Sequence, residues 1–423
     1  MKKVLILAYD FPPLNSIGAQ RPYSWFKYFP ENELHSVVIA RNPEINSEEN
    51  VTVQSQNGEI YLINCENNFK NKCNNLPILG KLIRKGLTFL EYFLKWKFSI
   101  FDNTNPIYSN SKKYILENNV DLILATGEPW ILFKYANDLS IEFDIPWIAD
   151  YRDGWNTNVK TEYNLFSRLI SKYYFLQIEK KIIKSASFLS FSDPCESKKI
   201  VKVIESKNIF VSLNGYDNEL IEKLEESQLN SDELIISYAG TIYDFQDLES
   251  FLVGLNKFIK KYKERKIKVV FYGSKNNSSV IKRISKVNSE LLKYISLTEK
   301  IPQNDVVYNL NNSHILLVLS SSNHVALPAK VFEYIGLEKY ILVSTNDKSD
   351  VERFVKETNS GIICNNSTDV YNSLVTFYDI FDNDPKMKIR IFNKEHYSRK
   401  YQAKLFSNEI KNSLNDLFRT QFN

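Results

Sequence analysis

Short apolar runs rich in Val, Ile and Leu alternate along this chain with longer stretches in which apolar residues recur at helical spacing. An apolar run without polar alternation suits a strand covered on both faces, and an amphipathic stretch between two such runs suits a crossover helix. The fold class predicted is therefore α/β. Strands are expected at residues 4–8, 35–40, 60–63, 122–125, 147–150, 188–191 and 209–212 in the first half. A second series is expected at 234–239, 268–272, 295–297, 315–319, 340–344 and 361–363.

Between the two series stands Asn214-Gly215-Tyr216-Asp217, followed by a charged stretch at 219–233 that reads as helical and polar, the marks of a domain boundary. Two doubly wound, Rossmann-like units are expected, 1–215 and 216–385, with the carboxyl ends of their strands opening into a cleft between them, where such sheets bind ligands. Residues 386–418 read as helical.

Composition narrows the function classes. The chain has 423 residues, 43% of them hydrophobic, which excludes a disordered tail and allows two or three domains. A formal charge of +4 over that length offers no concentrated basic surface for nucleic acid. The four cysteines form no Cys-x-x-Cys pair, so a zinc site or redox dithiol is not expected and free thiols in a reducing cytosol are. Residues 4–8 follow Met1-Lys-Lys in the manner of a signal peptide, but the apolar run is short and ends in Asp10-Phe-Pro-Pro without a small-residue cleavage site. No run approaches the ~18 apolar residues of a membrane span. Glycine makes up about 3% of the chain against a usual ~7%, so each glycine marks a place where backbone freedom or close approach is needed.

Segments at strand ends carry the candidate chemistry. Asp10-Phe-Pro-Pro-Leu-Asn-Ser-Ile-Gly18-Ala-Gln-Arg21 runs from the first strand into a helix near Ala19, where Gly18 would admit an anion to the helix N-terminus. It is neither a Gly-x-Gly-x-x-Gly fingerprint nor a Walker loop, which disfavours a dehydrogenase or a P-loop NTPase. Asp150-Tyr-Arg152-Asp153-Gly154-Trp155 places carboxylates and an indole together, a set suited to sugar hydroxyls and an apolar ring face, with a structural Arg152–Asp ion pair as the competing reading. Gly240-Thr241 ends another strand. Pro328-Ala-Lys330-Val-Phe-Glu333-Tyr334 starts a helix with Lys330 and Glu333 on one face, a cation for phosphate and a carboxylate able to accept two vicinal ribose hydroxyls.

In this order and spacing, together with Asn214-Gly215-Tyr216-Asp217, these segments resemble glycosyltransferase family 4, the GT-B enzymes of bacterial capsule, exopolysaccharide and lipopolysaccharide biosynthesis. The resemblance spans nearly the whole chain. It implies a GT-B fold whose N-terminal domain is the acceptor side and whose C-terminal domain takes the donor, with part of 386–423 crossing back onto the N-terminal domain. It further implies sugar transfer from a nucleotide sugar, most simply a UDP-sugar, with retention of configuration and no required cofactor or metal. Gly18, Arg21, Gly240, Thr241, Lys330 and Glu333 are then the expected donor-binding residues, with Asp150, Arg152 and Asp153 as acceptor-side catalytic candidates. Gly18, Gly154, Gly215 and Gly240 are expected to trace the cleft rim.

The chain departs from the family pattern in two places. Eight residues before Glu333, where many members carry a second glutamate, stands Val325, and the loop Tyr243-Asp-Phe-Gln246-Asp247 offers no cation. Arg21, with its planar fork, is the expected substitute for that charge. Asp382-Asn-Asp384 reads as a polar turn between helices rather than a metal motif, and His324 as a loop histidine. Residues 79–98 combine an apolar helical face with Lys81, Arg84, Lys85, Lys95 and Lys97, which fits equally a helix covering the sheet and one docking on anionic lipid. The expected partners are thus a nucleotide sugar, a glycan or lipid-linked acceptor and an anionic membrane surface, with a cytoplasmic location. Two rival readings are a nucleotide-sugar 2-epimerase, disfavoured by the scarcity of histidine for acid/base chemistry, and a non-catalytic binding protein.

Overall fold

The computed structural model describes residues 1–14, 16–43, 50–65, 95–97, 102–156, 165–204, 208–319, 327–344 and 350–421. They form two compact units, Met1–Leu213 with Ala403–Asn423, and Asn214–Gln402.

In the first unit β1 (Lys2–Leu7), α1 (Ile17–Tyr28) and β2 (Leu34–Arg41) are followed by the hairpin of β3 (Val51–Ser55) and β4 (Gly58–Ile63). Then come α2 (Asn105–Glu117), β5 (Leu122–Gly127), α3 (Ile131–Phe143), β6 (Trp147–Tyr151), α4 (Leu165–Ile183), β7 (Phe188–Phe191), α5 (Pro194–Ile204) and β8 (Ile209–Val211). The sheet runs β3-β4-β2-β1-β5-β6-β7-β8, and every pairing is parallel except β3 with β4. Successive residues of β1 point to opposite faces, and both faces are covered. Leu5 and Leu7 join a core with α3, while Val4 and Ile6 pack with Trp25 and Phe26 of α1, with Phe29 just beyond it and with the last helix. Double coverage is why the strand sequences read as unbroken apolar runs.

The second unit has α6 (Asn218–Glu222), β9 (Leu234–Ala239), α7 (Glu249–Lys261), β10 (Ile267–Tyr272), α8 (Ser278–Asn288), β11 (Ile295–Leu297) and α9 (Gln303–Asn311). It continues with β12 (Ile315–Leu319), α10 (Lys330–Gly336), β13 (Tyr340–Ser344), α11 (Asp350–Thr358), β14 (Gly361–Ile363) and α12 (Ser367–Asn383). Its sheet is parallel, ordered β11-β10-β9-β12-β13-β14. One face buries Ile236, Tyr238 and Val269 against Phe251, Leu255 and Phe258 of α7 and Leu374 and Phe377 of α12.

The final helix α13 (Arg399–Gln421) starts where the Ser398 hydroxyl accepts the Tyr401 N–H at 3.1 Å, an N-cap. From Ala403 onward it belongs to the first unit, where Phe406 lies 5.3 Å from Trp25 and stacks on Phe210 at 5.7 Å.

Three local expectations are corrected. β3 was not expected: all its residues are exposed, so no buried run marks it, and the Asn57-Gly58 hairpin signal locates it instead, with Gly58 at φ +140°. Residues 386–393 are not helical, because Met387 and Asn393 hold positive φ of 43° and 53°; only a 3₁₀ turn, Lys394–Tyr397, precedes α13. The stretch after the unit boundary is helical only over Asn218–Glu222, since the polar residues beyond carry no apolar face to bury.

Candidate functional site

Open parallel sheets bind ligands beyond the carboxyl ends of the strands, where the strand order reverses. In the first unit that point lies between β1 and β5, and in the second between β9 and β12. Each unit is described here by itself.

In the second unit β9 ends at Ala239 and the chain turns through Gly240 at φ +110°, a conformation side chains rarely adopt. A Cβ there would stand 3.4 Å from Lys330 Nζ. The lysine opens α10, and its ammonium donates to the Ala239 carbonyl at 2.7 Å and lies 3.7 Å from the centre of the Tyr238 ring. Burial pushes this ammonium down to about 7, with Glu333 opposing the shift. One turn along the same helix face, Glu333 accepts from Gln303 Nε2 at 2.9 Å. Burial raises its carboxyl, offset by the nearby charges of Arg399 and Lys330 and by the Gln303 hydrogen bond. Tyr238 is fixed by its hydroxyl, which donates to the Thr241 carbonyl at 3.0 Å. Gln246 ties the loop after Gly240 to the end of β12, accepting from Tyr243 N–H and donating to the Leu319 carbonyl, both at 2.9 Å.

A backbone bridge brings Asn214–Asp217 against the start of α13. Tyr216 N–H donates to Tyr397 O at 3.0 Å, Arg399 N–H to Tyr216 O at 2.9 Å, and Arg399 Nη1 pairs with Asp217 at 3.0 Å. A Cβ on Gly215, at φ +138°, would meet Arg399 N at 2.7 Å. Gly215 therefore serves main-chain packing. The nearest cation to the loop at 243–247 is Arg283, which donates to the Tyr243 carbonyl at 3.3 Å and pairs with Glu249.

In the first unit the expected residues separate into two groups. Arg21 and Asp150 are joined: Arg21 Nη2 and Nε donate to the carboxylate at 2.7 and 3.0 Å, and Nη1 donates to the Ser212 carbonyl at 2.7 Å. Asp150 also accepts from Thr126 Oγ1 at 2.9 Å, and both charged side chains are buried. The ion pair proposed for this region thus exists, but with Arg21 and not Arg152. Arg152 instead donates to the Gly127 carbonyl at 2.5 Å and the Glu128 carbonyl at 3.1 Å. A Cβ on Gly18 would stand 1.8 Å from Arg152 Nη1, so Gly18 makes room for this arginine. Asp153 is exposed, and among the described residues no hydrogen bond engages its side chain. Thr241, in the second unit, is also exposed.

Sequence reasoning missed several groups. Gln303 follows Pro302 at a helix start after β11, the same strand-to-helix signal used elsewhere, and it could have been read. Glu179 of α4 had no such signal. It is buried, accepts from Tyr151 Oη at 2.9 Å and Asn156 Nδ2 at 2.5 Å, and burial pushes its carboxyl up to about 7. Trp155 stacks between Trp96 at 4.9 Å and Trp130 at 5.7 Å. The Asp382-Asn-Asp384 stretch closes α12, with Arg265 paired to Asp379 and Asp382. Val325, His324 and residues 79–94 and 98 lie outside the described residues. Among the described residues no helix is long and apolar enough to cross a membrane.

No protein-family model matches the chain, and no curated protein does. Solved structures match it from end to end. A structure of trehalose-6-phosphate from E. coli bound with UDP-2-fluoro glucose is similar at TM-score 0.63 and 10% identity, over 97% of this chain and 99% of that one. A glycosyltransferase from Rickettsia africae is similar at TM-score 0.61 and 14% identity, over 98% of each chain. A putative UDP-N-acetylglucosamine 2-epimerase from Listeria monocytogenes is similar at TM-score 0.56 and 12% identity, again over 98% of each. The fold is therefore the α/β GT-B fold of paired Rossmann-like units. Transferases and an epimerase share it, so the fold alone does not choose the chemistry.

Proposed function

We propose that this protein is a hexosyl-type glycosyltransferase that moves a sugar from a UDP-sugar to a glycan or lipid-linked acceptor, with retention of configuration, in cell-surface polysaccharide assembly. The observation that carries the donor half is Lys330. Its ammonium sits partly buried beside a glycine turn, with a carbonyl and a ring face as its partners among the described residues. In transfer, the bond from the anomeric carbon to the β-phosphate oxygen breaks and negative charge grows on the departing diphosphate. A cation already desolvated at that position stabilises the charge more than one in water would. Glu333, one turn away, accepts the two ribose hydroxyls, and Gly240 lets the phosphates approach the backbone.

The first unit is assigned the acceptor. Asp153 is the carboxylate proposed to meet it, because Asp150 is committed to Arg21, and Arg152 holds the surrounding turn. Lys330 offsets part of the diphosphate charge, and the proposal invokes no metal. Peripheral membrane association on the cytoplasmic side, through residues 79–98, completes the proposal. Flotation with anionic vesicles tests it: the parent should float and the Lys81→Glu, Arg84→Glu, Lys85→Glu variant should not.

Incubation with UDP- and GDP-sugars tests the reaction. Nucleotide release that requires an added acceptor supports transfer. An epimerised sugar without acceptor would replace the proposal with the epimerase reading, and tight binding without turnover would replace it with a binding protein.

A further inference from the structure

The second unit contains a cavity of about 460 Å³ unconnected with the strand ends described above. Lys339 lines it from the turn between α10 and β13, so the cavity lies toward the amino ends of the strands, whereas Gly240 and Lys330 lie at the carboxyl ends. Its apolar wall includes Leu224, Leu337, Met387 and Ile389, and no aromatic residue lines it. A nucleobase would lack a stacking partner there, and the volume falls within the range of small-molecule sites.

The charges around the cavity are unevenly matched. Lys394, partly buried, pairs with Glu338 at 3.4 Å, and Lys386 pairs with Glu226 at 3.8 Å at the exposed rim. Lys339 is 7% exposed, and among the described residues no hydrogen bond or ion pair engages its ammonium. Burial alone lowers that group to about 8. Lys388, exposed at the same rim, likewise has no side-chain partner among the described residues. A desolvated ammonium without a counter-charge is unfavourable in the free protein, and an entering anion would relieve it. Beside these two lysines, the side chains of Glu225 and Ser227 offer acceptors and a donor for hydroxyl groups.

We propose that this cavity is a second ligand site, which takes a small phosphorylated polyol or sugar, its phosphate between Lys339 and Lys388 and its hydroxyls toward Glu225 and Ser227. The assignment does not depend on the donor-site reading.

Titration calorimetry of the full chain with sorbitol 6-phosphate, inorganic phosphate and sorbitol provides the test. Saturable binding of sorbitol 6-phosphate is expected, with phosphate weaker and sorbitol silent. Lys339→Met should weaken it at least about tenfold, and Lys330→Met should leave it within about twofold. Lys339→Met should also melt no lower than the parent, since it removes a desolvated charge. If that variant does not fold, Lys388→Glu at the exposed rim gives the same comparison. No binding at about 10 mM, binding unchanged in Lys339→Met, or loss in Lys330→Met would each overturn the site.

Discussion

Each unit of this protein sets a cation and a carboxylate together at its strand ends, fully buried in the first unit and partly buried in the second, and the two arrangements differ in what is left over. In the first unit Arg21 engages Asp150 and the Ser212 carbonyl, and Asp150 engages Thr126 as well, so that Nε, Nη1 and Nη2 of the guanidinium all have acceptors. These contacts join α1 to β5, β6 and the end of β8. In the second unit Lys330 donates to one carbonyl, and Glu333 accepts from one amide. A buried charge with its bonds satisfied holds a structure together, whereas a partly buried charge with bonds outstanding beside a glycine turn leaves bonding capacity for a ligand. The comparison separates a stability element from the proposed donor-binding element, although from sequence both looked like ligand chemistry.

The comparison can be broken most forcefully at Asp150. Asp150→Ala leaves Arg21 buried without its counter-charge and should cost about 3–5 kcal/mol in chemical denaturation. The folded fraction should still bind UDP within about twofold of the parent. A stable variant that had lost UDP binding would move the pair from scaffold to site.

In the second unit, Glu333→Gln should weaken UDP by roughly 1.5–3 kcal/mol, the value of a hydrogen bond to a charged acceptor. The affinity for 2′,3′-dideoxy-UDP should hardly change, because that ligand lacks the hydroxyls Glu333 would hold. Equal losses for both nucleotides would mean that the carboxylate acts elsewhere.

Gly240→Ala forces a side chain into φ +110° and should cost on the order of 1 kcal/mol of stability. Its effect on UDP affinity should be the larger of the two, since the added methyl group faces Lys330. The reverse ranking would make the turn a folding element only.

The finest distinction is a proton. With its ammonium near 7 in the free protein, Lys330 is mostly neutral at pH 8. A bound diphosphate favours the charged form, so binding at pH 8 should take up about 0.9 proton, seen by calorimetry in buffers of different ionisation enthalpy. Affinity should accordingly fall as pH rises above 7. In the free protein the sign is opposite: folding releases this proton, so the contribution to stability grows as pH rises from the folded value toward that of an ordinary lysine. Lys330→Arg should bind without the uptake.

Much of this arrangement was legible in the sequence, for reasons visible in particular residues. The strands of both sheets read clearly because both faces are covered, so Val4 through Leu7 and Ile315 through Leu319 carry no polar interruption. Edge strand β3 carries no such run, because all its residues are exposed, and it was not expected. Lys330 and Glu333 were legible because helical spacing fixes their common face. The partnership of Arg21 with Asp150 was not, because it spans 129 residues and depends on strand order. Arg152, expected to pair with a neighbouring acid, reaches carbonyls 24 and 25 residues away for the same reason. Local pattern fixes which residues share an element, and topology decides which elements meet.

The claim that the second unit binds the nucleotide diphosphate through Lys330 is tested most directly by calorimetric titration of UDP into the parent and Lys330→Met at one ionic strength. The account predicts affinity at least about 30-fold lower in the variant, with a melting temperature no lower than the parent's. An affinity within about twofold of the parent in a fully folded Lys330→Met protein would contradict it.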